Sequence, residues 1–260
     1  MQFFRLLEVH GIGPGVMEKI RDAMILAGGR GTRMLPASLF MPKETLPLID
    51  TPIIKHLIWE VAKAGVENIH LVLSQTKEEG LRRIIDDEVG HYDRLRPDLP
   101  PDALKVGTEG VEIKVHVQES AGGVGDAIYT AKGSIEGPFL VVLGDNLLIE
   151  HHVGPMDSGT EQASGASLEL VKRFEETGLP CVGVSPVDEE EVSNYGVISF
   201  DGSKVSTIVE KPKPNDAPSN YILSGRYLFP GNTFEILEQF PISEFGENQS
   251  IALLRNLIEN

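Results

Sequence analysis

Apolar residues recur along this chain in two alternating rhythms. Ala23-Met24-Ile25-Leu26 is a short continuous apolar run that ends in glycines, the pattern of a buried strand. Across residues 53–64, Ile53, Ile54, Leu57, Ile58, Val61 and Ala62 have helical spacing, and Gly65 then breaks the helix. Asn68 to Ser74 reads as a second buried strand, and Lys77 to Val89 as a polar-rich amphipathic helix. A proline-bearing loop covers residues 96–110. Val111 to Val117 then alternates as a strand does, Gly125 to Lys132 starts a helix, and Phe139-Leu140-Val141-Val142-Leu143 forms a strand that runs into Gly144-Asp145. This β-α-β-α order predicts an α/β fold: three layers, α/β/α, around a mixed, mainly parallel sheet with helices on both faces.

The later part of the chain is richer in strands. Residues 165–172 and 181–187 read as strands. Tyr195 to Phe200 and Val205 to Val209 pair as a hairpin around Asp201-Gly202, and Tyr221 to Phe229 is a further strand. Residues 212–220 form a Pro/Asn loop and Asn232 to Gln239 a helix. Residues 1–22 are expected to form a helical extension. Within them Leu7 to Val16, with Lys19 and Ile20, resembles the hairpin of helix-hairpin-helix DNA-binding motifs, but a single copy without a basic cluster is a poor phosphate-backbone site.

Composition narrows the function. With 260 residues and 41% hydrophobic content the chain suffices for one substantial core. No apolar run approaches the roughly 18 residues of a membrane span, and Arg5, Glu8 and Glu18 make residues 1–20 a poor signal peptide. The formal charge of −16 argues against general nucleic-acid binding. Cys181 is the one cysteine, so no internal disulfide forms and a cytoplasmic setting is expected.

The overall negative charge makes the cations around one loop more notable. Residues 27–48 read Ala-Gly-Gly-Arg-Gly-Thr-Arg-Met-Leu-Pro-Ala-Ser-Leu-Phe-Met-Pro-Lys-Glu-Thr-Leu-Pro-Leu. Ala27, Gly28, Gly29, Gly31 and Thr32 follow the first strand directly, where glycines let backbone N–H groups approach a phosphate. Arg33 and Lys43 add two cations. The loop lacks the Gly-Lys-Ser/Thr of a P-loop and does not complete the dinucleotide fingerprint. A strand ending in Gly144-Asp145 places a carboxylate at the carboxyl edge of a parallel sheet, suited to Mg2+ beside a triphosphate. The histidines, His151-His152 included, show no metal-ligand spacing.

The sequence G-G-x-G-T-R-x-x-P followed by Pro42-Lys43-Glu44 resembles the signature of sugar-phosphate nucleotidylyltransferases, and within them most of all the glucose-1-phosphate uridylyltransferases. The resemblance extends over about residues 23 to 250 and implies the Rossmann-like fold of nucleotide-diphospho-sugar transferases. It implies a nucleotide-binding half, residues 23–150, and a β-rich sugar-phosphate-binding half, residues 151–260. Arg33, Lys43, Asp145 and Lys211 become the expected catalytic residues, with Asp145 holding Mg2+. Ala27, Gly28, Gly29, Gly31, Thr32, Glu44, Gln118, Gly123 and Gly144 become nucleotide contacts. A glutamine amide suits a pyrimidine edge. Gly196, Glu210, Lys211 and Gly225 become the sugar-phosphate pocket. Relatives continue past residues 246–249 into a strand and a second metal-binding aspartate, for which no acid downstream of Arg226 stands in the expected context.

The partners so implied are a nucleoside triphosphate, UTP favoured, and a sugar-1-phosphate, glucose-1-phosphate favoured. No nucleic acid and no membrane are expected, and a homo-oligomer is compatible with the sequence. The competing expectations are a glucose-1-phosphate thymidylyltransferase and a regulatory protein that binds nucleotide or sugar phosphate with impaired catalysis.

Overall fold

The computed structural model describes residues 4–9, 18–29, 31–85, 97–98, 107–120, 122–154, 156–157, 159–239 and 249–259. Their strands are β1 (Arg5–Glu8), β2 (Asp22–Leu26), β3 (Pro47–Leu48), β4 (Thr51–Pro52), β5 (Asn68–Ser74), β6 (Glu112–Gln118), β7 (Phe139–Leu143), β8 (Cys181–Pro186), β9 (Gly196–Asp201), β10 (Lys204–Glu210) and β11 (Tyr221–Phe229). The helices are α1 (Ile53–Lys63), α2 (Gln75–Ile85), α3 (Val124–Tyr129), α4 (Gly159–Gln162), α5 (Ala166–Thr177), α6 (Thr233–Glu238) and α7 (Gln249–Glu259).

Nine strands form one sheet in the order β6-β5-β2-β7-β11-β8-β1-β10-β9, while β3 and β4 make a separate short pair. All five residues of β2 are buried, because helices cover both faces. One face carries Met24, Leu26, Val141 and Phe229 against Ala127 and Ile128 of α3, Phe234 of α6 and Leu253 of α7. The other carries Ile25, Leu71 and Val142 against Ile54, Leu57 and Val61 of α1 and Leu170 and Phe174 of α5. The three-layer α/β/α architecture is therefore present, and its sheet is mixed. Parallel pairing is concentrated in β6-β5-β2-β7. β7–β11, β11–β8, β8–β1 and β10–β9 are antiparallel.

Two sequence expectations are corrected. Residues 165–172 are not a strand: Ala166–Thr177 is helix α5, with Ala166, Leu170, Val171 and Phe174 buried. These positions recur at helical spacing, and the polar residues between them are good helix formers. The N-terminal segment is not a helical extension at residues 5–8 either. β1 lies inside the sheet, antiparallel to β8 and beside β10, and Leu7 and Val9 have no solvent exposure. Backbone pairing on both sides, together with burial of Leu7, favours the strand there. Most of the segment resembling a helix-hairpin-helix, residues 10–17, lies outside the described residues, as does the end of the helix expected over 77–89.

The remaining elements follow the hydrophobic pattern closely. β5 is Asn68–Ser74 and β11 is Tyr221–Phe229, both as expected, and β9 and β10 form the expected hairpin. The parallel strands β2, β5, β6 and β7 all end on one edge of the sheet, which brings Ala27, Ser74, Gln118 and Gly144 to the same side.

Candidate active site

Three loops meet at that carboxyl edge. Ala27-Gly28-Gly29 leaves β2, with the Ala27 amide donating to the Val72 carbonyl of β5 at 2.8 Å. Gly144-Asp145 leaves β7, with the Gly144 amide donating to the Leu26 carbonyl at 2.9 Å. The two backbones are so close that a Cβ on Gly144 would stand 2.7 Å from the Leu26 oxygen. Only glycine lets the turn bearing Asp145 lie against the glycine loop. Gly31 then leads into a 3-10 turn, Thr32–Met34, with Thr32 exposed and the Gly31 carbonyl accepting from the Ser38 hydroxyl at 2.8 Å. The backbone of Arg33 belongs to this turn; its side chain lies outside the described residues.

Lys43 and Glu44 begin a further 3-10 turn, Lys43–Thr45, and both are buried. The Lys43 ammonium, only 6% exposed, lies 3.1 Å from Asp145 Oδ2 and 3.7 Å from Glu44 Oε1. It also lies beside Gly29, 3.7 Å from where a Cβ would stand. This brings the expected cation, carboxylate and glycine loop together. Glu44, an expected nucleotide contact, faces Lys77. Its carboxylate is fully buried and accepts from Lys77 Nζ at both oxygens, at 3.0 and 2.9 Å. Lys77, on the first turn of α2, also donates to the Ala27 carbonyl at 3.0 Å. Burial holds Lys77 below the ordinary lysine range, with Glu44 opposing that shift. Nothing in the local sequence marks Lys77, which becomes legible only when α2 folds back over the glycine loop.

Gln118, at the end of β6, is buried against this loop. Its amide nitrogen donates to the Gly123 carbonyl at 3.2 Å and to Asp126 Oδ2 at 2.7 Å, and its oxygen stands 3.0 Å from a Cβ on Gly28. Gln118, Gly28 and Gly123 thus share one corner of the site, with Asp126 of α3 as an unforeseen member.

The β9–β10 hairpin supplies the opposite wall. Gly196 pairs in register with Glu210, whose Oε2 stands 3.2 Å from a Cβ on Gly196. Lys211 follows with φ 43°, a left-handed conformation held by its amide donating to the Tyr195 carbonyl at 2.9 Å. Its ammonium is 46% exposed and 3.7 Å from Glu210 Oε1. Gly225, at φ 73°, lies where the register of β11 against β8 shifts, and a Cβ there would meet the Asn146 amide at 2.7 Å. Asn146 is the next residue after Asp145, so Gly225 packs against the turn that bears the carboxylate. Tyr227 reports the same proximity: burial first, then the Glu210 and Asp145 carboxylates, push its phenol up.

Asp145 presents one carboxylate, 59% exposed at the cleft, with Lys43 near one of its oxygens. Among the described residues no three His, Cys, Asp or Glu side chains form a metal cage. Mg2+ usually takes one or two carboxylates and completes its shell with water and substrate phosphates. A single exposed carboxylate beside the glycine loop fits that mode. Among the described residues no helix is long and apolar enough to cross a membrane.

The Nucleotidyl transferase family model matches residues 22–260. A UTP–glucose-1-phosphate uridylyltransferase of Streptococcus pneumoniae is 37% identical over 237 residues, covering 85% of this chain and 74% of that protein. A UDP-glucose pyrophosphorylase solved with UDP-glucose is similar at a TM-score of 0.72 and 27% identity, covering 93% of this chain and 88% of its own. A UTP-bound UGPase from Acinetobacter baumannii is similar at a TM-score of 0.72 and 27% identity, covering 91% of this chain and 83% of its own.

Proposed function

The chain belongs to the nucleotidyl transferase family, and from that premise we propose that it transfers a uridylyl group from UTP to glucose-1-phosphate, releasing pyrophosphate and forming UDP-glucose. The observation that carries this reading is the meeting of Lys43 and Asp145, 3.1 Å apart, at the glycine loop, with Glu210 and Lys211 on the facing wall. One wall offers a triphosphate backbone amides and a fixed cation; the other offers a sugar phosphate a carboxylate for hydroxyls and a second cation. The relatives described above are named for UTP and glucose-1-phosphate, or were solved with UTP or UDP-glucose.

The chemistry demands little else. A sugar-1-phosphate is already ionised near neutral pH, so its oxygen can attack the α-phosphorus without a general base. Pyrophosphate leaves in line, and catalysis is positioning with charge neutralisation. Lys43 and Arg33 act on the triphosphate side. Lys211 neutralises the incoming phosphate, and Glu210 accepts sugar hydroxyls. Gln118, with Gly28 and Gly123, borders the base. Asp145 would hold Mg2+, which would supply further positive charge to the reaction. The single Cys181, fully buried, fits a cytoplasmic enzyme.

Pyrophosphate release in Mg2+, over a panel of triphosphates and sugar-1-phosphates, tests the reading. UTP with glucose-1-phosphate is expected to be the best pair. Uracil and thymine share a pairing edge, and one methyl group is worth about 1–3 kcal/mol, so dTTP is expected to be used measurably and purines poorly. A purine preference overturns the base and spares the class. UTP binding without turnover for any sugar phosphate favours a regulatory binding protein.

A further inference from the structure

Resting on the assignment of Lys43 to the triphosphate, we propose that Lys77 is a positioning residue that keeps Lys43 available to substrate by occupying the carboxylate of Glu44. The geometry is specific. Glu44 has no solvent exposure, so its negative charge must be met inside the protein. Two lysines stand within reach. Lys77 takes both oxygens, at 3.0 and 2.9 Å, while Lys43 stays 3.7 Å from the nearer one and turns to Asp145 at 3.1 Å. Lys77 has a third anchor in the Ala27 carbonyl at 3.0 Å, which fixes its own ammonium.

Without Lys77, Lys43 is the one cation near the buried carboxylate among the described residues. An ion pair inside the protein is far stronger than one at the surface, and Asp145 is more than half exposed. Lys43 is then drawn to Glu44 and lost to the phosphates. Removing the charge of Glu44 as well releases Lys43 again, so a second substitution repairs the first. A residue that merely fills space or braces α2 has no such suppressor.

The test uses K77M, E44Q and K77M/E44Q in the full chain, with turnover of UTP and glucose-1-phosphate and a crystal structure of each variant. K77M is expected to lower kcat about 10²-fold, the scale of losing one transition-state charge contact. KM for glucose-1-phosphate is expected to stay unchanged, because that substrate lies on the Glu210–Lys211 wall. In K77M crystals Lys43 is expected on Glu44. In K77M/E44Q it is expected back on Asp145, with kcat recovered at least about tenfold over K77M. Lys43 remaining on Asp145 in K77M, or no recovery in the double variant, overturns the proposal. Should K77M fail to fold, the double variant alone decides: turnover as low as that of K43A overturns it. Absence of turnover in the unsubstituted protein overturns the reaction assignment instead, and the position of Lys43 in the crystals still judges the role of Lys77.

Discussion

Arg226 and Glu60 form a two-pronged ion pair cut off from solvent, with Nε donating to Oε1 at 2.8 Å and Nη2 to Oε2 at 2.7 Å. The pair joins β11 to α1. Ser167 of α5 donates its hydroxyl to Glu60 at 2.5 Å, and Arg226 Nη1 donates to the Asn146 carbonyl at 2.7 Å. Asn146 follows Asp145, so this buried network anchors the turn that presents the carboxylate. Arg226→Met strands a buried charge and is expected to cost about 3–5 kcal/mol. Arg226→Met with Glu60→Leu is expected to cost less than that single change. Urea denaturation of the two variants checks the order; equal or greater loss in the double variant refutes it.

Lys43→Ala is expected to reduce turnover about 10²-fold or more, and Arg33→Ala likewise, if each stabilises charge in the transition state. Steady-state kinetics separates the alternatives. A rise in KM with kcat unchanged would reassign either residue to ground-state binding.

Asp145→Asn is expected to abolish Mg2+-dependent turnover and leave the fold intact. The side chain is more than half exposed and its pairing with Lys43 is half at the surface, so unfolding stability is expected to change by no more than about 0.5–1 kcal/mol. Full activity in this variant would make Asp145 a turn residue only.

Acid is expected to destabilise the protein through its histidines. His116 is held below the ordinary histidine value by burial first, then by His70 and Lys114. His56 is lowered by burial first and by His152, against an opposing effect of Asp50. A lowered folded-state pKa means that the unfolded chain takes up the proton first. Stability is therefore complete above about pH 6.5 and falls as the pH drops through that value towards the folded-state pKa values. Thermal midpoints measured from pH 8 to 5 should decline, and His116→Gln should flatten part of the decline. An unchanged slope in that variant would remove His116 from the account.

Much of the fold is legible in the hydrophobic pattern because β2 is apolar from Ala23 to Leu26, β7 is an apolar run closed by Gly144, and β6 alternates. α5 was misread since Leu168, Leu170 and Val171 suggest a strand over a short window, and only the longer spacing to Phe174 reveals the helix. At the site, the glycine loop, Lys43, Asp145, Gln118, Glu210 and Lys211 were legible as an ordered series. Glu44 is legible as part of that series, but its pairing with Lys77 is not. Lys77, Glu60 and Asp126 carried no local signal. Each acquires its role from a partner that folding brings in from elsewhere, such as Glu60 from Arg226 at a separation of 166 positions.

The place of β1 has a consequence for how the molecule is made. Residues 5–8 leave the ribosome long before residues 181–186 and 204–210, the strands on either side of them, and Arg5 reaches the carbonyl of Gly202 at a separation of 197 positions. Contacts that close so long a loop slow folding. Until they close, β8 and β10 each expose a row of unpaired backbone groups, open to pairing with another nascent chain. During synthesis, then, the protein is most vulnerable to self-association at the β8-β1-β10 seam towards one end of its sheet, where each strand has a neighbour on both sides once folding is done.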